Sequence, residues 1–522
     1  MDTLLNKFSA YVNGTITGFD RITFKGMLTP ILYTNGIESF LKNKGVLNKN
    51  FKDYAIKQSQ IIVDSAEAYS QEIFEEGIKY LFSSNTRKEE LAHDRQKKKN
   101  IEEGLIGIWA CVESCNTYKA VFNKTQSYPS LMFTRSKCKH LYFYFDDPTY
   151  GFMSVRLQTW APYEIQIALN GREWLRRSLD KAGCGYTMNG NKFLHINDYE
   201  LAQELLNAQA RVNFNSVLNS FLPLVFPKMK EVLNEGLLSY YWTFWQTEVA
   251  TDYIFNDNIK LRDLMDDFQL HAIITGRGER ILKYFGTPIK QDGLPYRNTN
   301  PGIITKTYGW YDGLRVKHWN NKNSIKFYNE HNVFRVEMTM NDPTRFRIYR
   351  HTLNQTAKDP KKLLSLRKGI IDTSPRFDIS KSIIHTFTEH LATVEEKVRF
   401  GEIVEPVVSS IDKDGKKYRG LDLLGKDRIL LLHIADPIYD VDPITNKKLQ
   451  QSISKTDWAK GMNKKQLSGR ISRHLVLLRK HGIIKKLQNQ RKYVLTDKGR
   501  KLTASLEVAS ASSINDLLKS AA

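Results

Sequence analysis

Three short segments between residues 317 and 337 carry the residue types that phosphodiester chemistry needs. They read Lys317-His318-Trp319-Asn320, then Ser324-Ile325-Lys326-Phe327-Tyr328-Asn329, then Phe334-Arg335-Val336-Glu337. Their alternation suits strands. It sets Lys326 and Tyr328 on one side of the second, and Arg335 and Glu337 on one side of the third. His318, on the first strand, is expected to approach them. A divalent ion, Mg2+ or Mn2+, would polarise a phosphate there, and a tyrosine hydroxyl could attack it. His318, Tyr328 and Glu337 are therefore candidate catalytic residues, and Lys317 and Lys326 candidate nucleic-acid contacts. The plainer alternative is a half-exposed sheet on which Glu337 pairs with Arg335 or Lys326. No His-hydrophobic-His metal motif occurs in the chain, and no residue set is singled out as a resident metal site.

A second concentration lies nearer the C-terminus. From Gly461 to Lys501 there are thirteen Lys and Arg residues and one acid, Asp497. Met462–Lys480 reads as a helix with Leu467, Ile471, Leu475 and Leu478 on one face and Lys464, Lys465, Arg470, Arg473 and Arg479 on the other. His481-Gly482 ends it, since glycine readily takes the left-handed cap. Ile483–Leu487 and Lys492–Leu495 read as two strands around a polar tip, and Thr496–Arg500 starts a last helix. A third set alternates on one predicted strand, Arg156, Gln158 and Trp160, with Arg172 and Trp174 nearby in sequence. Arginine, amide and aromatic groups together can hold a phosphate and stack a base, and can equally form a buried polar network.

The whole chain fits these partners. It has 522 residues and a formal net charge of +22. Nucleic acid is the commonest polyanion for such a protein, and clustered cations are what counterion release requires. Apolar residues at 41% and aromatics at 11% supply real cores and exclude wholesale disorder. No apolar run reaches the roughly 18–20 residues of a membrane span, so no membrane association is expected. The N-terminus shows no secretory h-region. The four cysteines, Cys111, Cys115, Cys138 and Cys184, fit no common zinc or disulfide framework. A reducing cytoplasm is the expected compartment.

The elements that would position these groups read as α+β and multidomain. Residues 1–100 read as mainly helical, behind a polar, glycine-punctuated opening Gly14–Arg21. Residues 101–215 read as an α+β sheet domain, with strands at Lys139–Phe145, Phe152–Gln158, Tyr163–Leu169 and Lys192–Ile196. In it a helix Arg172–Lys181 is opened by Asn170-Gly171 and closed at Gly183. Residues 216–300 read as helical, with Tyr240, Tyr241, Trp242, Phe244 and Trp245 as core. Gly276–Arg280 looks like a phosphate loop but lacks the Walker Lys-Ser/Thr pair. Residues 301–352 hold the β-meander, 353–420 a helical or linker region, 421–505 a compact basic domain and 506–522 a tail. In the basic domain, Asp427–Ile434 and Ser454–Gly461 read as the first two helices.

The string LRKHGIIKKLQNQRKYVLTDKGRKL resembles the recognition-helix end, wing and following helix of bacterial winged helix-turn-helix domains of the MarR-like kind. That resemblance implies a helix entering a major groove with Gln466, Ser468, Arg470, Ser472 and Arg473, and a wing meeting phosphate through Arg491 and Lys492. Such domains often dimerise, so a homodimer is one possible state, although no clear heptad seam is visible in the sequence. The segment 313–340 resembles the "I-K-x-Y-[D/N]-K … L-R-x-E" stretch of rolling-circle replication initiators from plasmids and phages. Those proteins nick one DNA strand through a tyrosine with a divalent metal. This chain has Asn329-Glu330 where that pattern prefers an acid and a lysine. Gly18–Arg21, Gly151–Trp160 and Asn170–Leu175 resemble an uncharacterised bacterial family. The expectation is a nucleic-acid-binding protein of a bacterium or mobile element. Its winged helix would dock on duplex DNA while the basic body binds a second DNA or RNA segment. The alternatives are a metal-dependent nicking enzyme and a regulator with a ligand- or partner-binding body.

Overall fold

The computed structural model describes residues 3–123, 128–233, 239–275, 281, 284–285, 302–310, 313–352, 356, 359–392, 400–436, 438–441, 443–488 and 490–511. Gly276–Arg280 and residues 512–522 lie outside them. The fold is α+β, with two compact units. One comprises Gly18–Val249 and Lys368–Thr373, the other Met1–Thr17, Ala250–Arg367 and Ser374–Ala522.

In the first unit the strands are β1 (Val12–Met27, here from Gly18), β2 (Lys79–Leu81), β3 (Gly104–Asn123), β4 (Tyr128–Asp147), β5 (Gly151–Gln158) and β6 (Ile165–Asn170). They lie in the order β1-β6-β5-β4-β3-β2, antiparallel except for the β2–β3 pair. A separate hairpin pairs β7 (Tyr186–Asn189) with β8 (Lys192–Ile196). The strand β9 (Tyr241–Phe255) follows. The expected helix after Asn170 forms over Gly171–Ala182. The Asn170 side chain accepts from the Arg172 and Glu173 backbone N–H groups, and Gly183, at φ +67°, ends the helix.

Two expectations change here. The glycine-punctuated opening is part of the 16-residue strand β1, and the aromatic run at 240–245 enters a strand rather than a helix. Strand alternation therefore splits that run: Tyr240, Trp242 and Phe244 are buried, whereas Tyr241 and Trp245 are about half exposed.

In the second unit, the meander strands β10 (Ile303–Trp310), β11 (Gly313–Asn320), β12 (Asn323–Glu330) and β13 (Val333–Met340) pair in sequence order, and β13 lies beside the Ala250–Phe255 end of β9, which belongs to this unit. One face of this sheet is apolar. Phe327, Phe334, Val336 and Met338 are fully buried on it, packed by Phe268 of the helix Asn258–Thr275 and Phe387 of the helix Thr373–Leu391.

The C-terminal part has helices Phe400–Val408, Arg428–Ile434, Ile438–Val441, Asn446–Ile453 and Lys464–Lys480. A hairpin follows, β18 in chain order (Ile484–Lys486) with β19 (Tyr493–Leu495), and then a helix Asp497–Ala511. The earlier short hairpins are β14 (Arg347–Arg350) with β15 (Lys362–Ser365), and β16 (Ile411–Lys413) with β17 (Lys416–Tyr418). The helix expected at Ser454–Gly461 lies earlier, at Asn446–Ile453 behind the one-turn helix Ile438–Val441, and Ser454–Gly461 holds only a 3-10 turn at Asp457–Ala459. Thr445 decides this boundary, because its side chain accepts from the Lys448 N–H and caps the helix. Leu430, Ile434, Leu449, Ile471, Leu475 and Leu502 form the core, each at most 2% exposed.

Candidate nucleic-acid interface

The helix Lys464–Lys480 begins with a capping box. The Asn463 carboxamide oxygen accepts from the Gln466 N–H at 2.9 Å, and the Gln466 side chain accepts from the Asn463 N–H at 2.9 Å. Gln466 is thereby committed to its own helix. Leu467, Ile471, Leu475 and Leu478 face the core as the spacing predicts. Lys464, Lys465, Ser472, Arg473 and Arg479 are exposed on the other side. Ser472 accepts from Asn446 Nδ2 at 2.7 Å, and Ser468 is bonded to Asn446 Oδ1 at 3.2 Å, so both help dock this helix on its predecessor.

Arg470 departs from the expected role. Its guanidinium lies 4.0 Å from the Trp458 ring centre and donates to the Trp458 carbonyl at 2.8 Å. Burial lowers its pKa from the ordinary arginine value. The physical reason is that Trp458 packs against this face of the helix, with its indole N–H donating to the Lys426 carbonyl at 2.8 Å. Nearby, burial would raise Asp427, yet Arg419, His474 and the Asp422 N–H hold it well below the usual carboxylate range. On the open face, Lys465, Gly469 and Arg473 follow at intervals of four. A Cβ at Gly469 would meet only Arg473 Nη1, at 3.7 Å. In the hairpin, Lys485, Lys486, Arg491 and Lys492 are all exposed.

The proposed catalytic trio does not assemble. Lys317 pairs with Lys326 and Lys326 with Glu337, whereas His318 pairs with Ile325 and Ile325 with Met338. Cross-strand partners share a face, so His318 points to the apolar side and Tyr328 and Glu337 to the other. His318 is 1% exposed, lies 2.8 Å from the Thr305 hydroxyl and packs on Phe387 at 5.9 Å. Burial pushes its pKa down to about 4. Glu337, also 1% exposed, is paired with Lys326 at 2.6 Å. Tyr328 packs edge-on against Trp310, with ring centres 5.2 Å apart. Beside them Arg335 grips Asp252 through two bonds of 2.5 and 2.8 Å, both residues at most 1% exposed.

The third candidate set is internal as well. Arg156 donates to the Tyr142 hydroxyl at 3.0 Å and to Glu113 at 3.1 Å. Glu113 also accepts from Tyr142 at 2.7 Å and Cys111 at 3.1 Å, and pairs with Lys88 at 3.2 Å. Burial alone would raise Glu113, but these partners outweigh it and hold it down to about 2. Gln158 donates to the Asn116 and Trp160 carbonyls, at 3.0 and 2.9 Å. Trp160 itself is half-buried. Arg172 is fully buried, 3.8 Å from Asp20. Arg156, Gln158 and Arg172 thus each have partners inside the protein, Arg172 fully buried and Arg156 half-buried.

Sequence reading missed the half-exposed Tyr308, Trp310 and Arg315, and it missed the pairing of Asp252 with Arg335. A signal for the first group existed. Tyr308 and Trp310 stand two apart, as do Arg315, Lys317 and Trp319, which is the spacing of one strand face. It also passed over Asp20 and Glu248, whose carboxylate oxygens come within 4.8 Å of each other.

No protein-family model, curated protein or solved structure matches this chain. Among the described residues, no helix is long and apolar enough to cross a membrane.

Proposed function

We propose that the protein binds nucleic acid, and that residues 421–505 act as a winged helix-turn-helix docking on duplex DNA. The observation that carries this reading is the exposed face of the helix Lys464–Lys480. Lys465 and Arg473 flank the side-chain-free Gly469 there, and the same stretch continues into a hairpin bearing Lys485, Lys486, Arg491 and Lys492. The order supports it: with the one-turn helix Ile438–Val441 set aside, Arg428–Ile434, Asn446–Ile453 and Lys464–Lys480 precede a hairpin and a last helix, and in such domains the recognition helix enters a major groove. Gly469 would let a phosphate or base edge approach the helix backbone closely. Within this reading, the contact residues are Lys464, Lys465, Arg473, Arg491 and Lys492. Arg470, Gln466, Ser468 and Ser472 hold the scaffold.

The nicking alternative finds no support in the arrangement, because His318 faces away from Tyr328 and Glu337. The test is fluorescence anisotropy of the full chain on a labelled random duplex across salt. Binding that weakens linearly in log–log form is the expected result. No binding at low salt would refute it.

A further inference from the structure

The outer strands of the meander, β10 and β11, present a second surface. Their register pairs Tyr308 with Arg315, Lys306 with Lys317 and Ile304 with Trp319. Partners across an antiparallel ladder point to one side, so Lys306, Tyr308, Trp310, Arg315, Lys317 and Trp319 share a face. Burial agrees. Val316, His318 and Asn320 are at most 1% exposed, while Arg315, Lys317 and Trp319 between them are half-exposed.

The face is organised as alternating rings and cations. The Arg315 guanidinium lies 4.2 Å from the Trp310 ring centre and 5.1 Å from that of Tyr308. The Lys317 ammonium lies 4.5 Å from the Trp319 ring. Tyr308 and Trp319 meet edge-on at 6.3 Å. Neither strand contains a carboxylate. On the inner strands, Glu337 and Asp252 are engaged by Lys326 and Arg335, and half-buried Glu330, at the end of β12, is the further carboxylate on the side of Lys326. The excess charge of this face is therefore positive at its outer edge, where the rings are.

We propose that this face binds single-stranded nucleic acid, with bases stacking on Trp310, Trp319, Tyr308 and the Arg315 plane while Lys306 and Lys317 meet phosphates. Every base has a π-face, so such a platform tolerates sequence, and arginine planes stack bases as aromatic rings do. From Trp319 to Arg315 the strand spans about 13 Å, at about 3.3 Å per residue, which is room for about two or three bases. A duplex hides its base faces and cannot use this surface. The platform rests on the reading of the protein as a nucleic-acid binder, but not on the C-terminal docking mode.

The test uses the full chain, with labelled oligomers of uridine and of deoxythymidine of about 20 nucleotides, a random duplex, and a polyglutamate chain as a competitor that has charge without bases. The variants are Arg315→Gln with Lys317→Gln, and Trp319→Ala, each compared with Arg473→Gln with Arg491→Gln. A thermal melt of each variant confirms that it folds. The expected result is about tenfold weaker binding of both single strands by the meander double variant, with duplex affinity within about twofold of the unaltered protein. The C-terminal double variant should show the reverse. Tryptophan fluorescence should be quenched by the single strands and less so in Trp319→Ala. Preference for uridine over deoxythymidine, or the opposite, tells RNA from DNA. Single-strand affinity unchanged in both meander variants would overturn the proposal, and so would displacement by polyglutamate at equal charge. The duplex arm reports separately on the C-terminal reading. The double glutamine variant keeps the test open should Trp319→Ala fail to fold.

Discussion

Arginines perform opposite duties in two regions of this chain. On the inner strands of the meander, Arg335 is sealed against Asp252, and in the other unit Arg156 is bound to Glu113. In the helix Lys464–Lys480, Arg473 and Arg479 are exposed, along with Lys464 and Lys465. A buried arginine that has its own carboxylate holds structure together and offers nothing to a polyanion. An exposed arginine in a stretch almost without acids contributes little to folding and much to binding. The 78 Lys and Arg residues of the whole chain include both kinds. Only the partners of each side chain separate them.

Arg335→Ala takes a two-bonded guanidinium from buried Asp252 and should cost about 3–5 kcal/mol of stability in a urea melt. A shift too small to measure would mean that the pair is not what secures this part of the sheet.

Glu113→Ala strips Lys88 and Arg156 of their shared carboxylate. Its expected cost is about 2–3 kcal/mol, less than for a fully enclosed pair, since the Glu113 side chain is 15% exposed. The same group makes a pH prediction. Its folded pKa is held down from 4.5 to about 2. Its contribution is therefore fully present above pH 4.5 and is lost as the pH falls toward 2. Stability measured across that window should fall less steeply in Glu113→Gln than in the unaltered chain.

On the exposed side, Arg473→Ala should weaken duplex binding by about 1–3 kcal/mol if it reaches a base edge, or lower the salt slope by about one if it meets phosphate. It should leave the melting temperature alone. Arg470→Ala should do the opposite, losing about 1–2 kcal/mol of stability with its ring stack and carbonyl bond. The smallest effect expected is that of Asn463→Ala, about 1 kcal/mol from the lost capping box. If Arg470 and Arg473 behaved alike in either measurement, the division between structural and binding arginines would fail on that helix.

Local chemistry was the part legible in the sequence. Asn170 and Gly183 bound their helix where capping requires, and the meander follows from alternation between polar turns. The face of each residue in a sheet was less legible. A slip of one residue in pairing moves a whole strand's side chains to the other side, and the sequence alone gave no reason to set His318 opposite Ile325 rather than beside Glu337. The long strands β1 and β9 escaped for a related reason. The β1 residues Ile16 to Phe19 are buried in succession, so a clean alternation is absent there. The fate of Arg470 depended on Trp458, which a 3-10 turn brings to the helix from twelve positions earlier. A helical wheel shows which side is polar, but not which polar residue meets another segment.

The most direct test of the central claim is the salt dependence of duplex binding by the full chain, measured beside Arg473→Glu with Arg491→Glu. A steep slope is expected for the unaltered protein and a shallower one, by about two, for the variant, with unchanged unfolding. Equal slopes and affinities for the two proteins would contradict it.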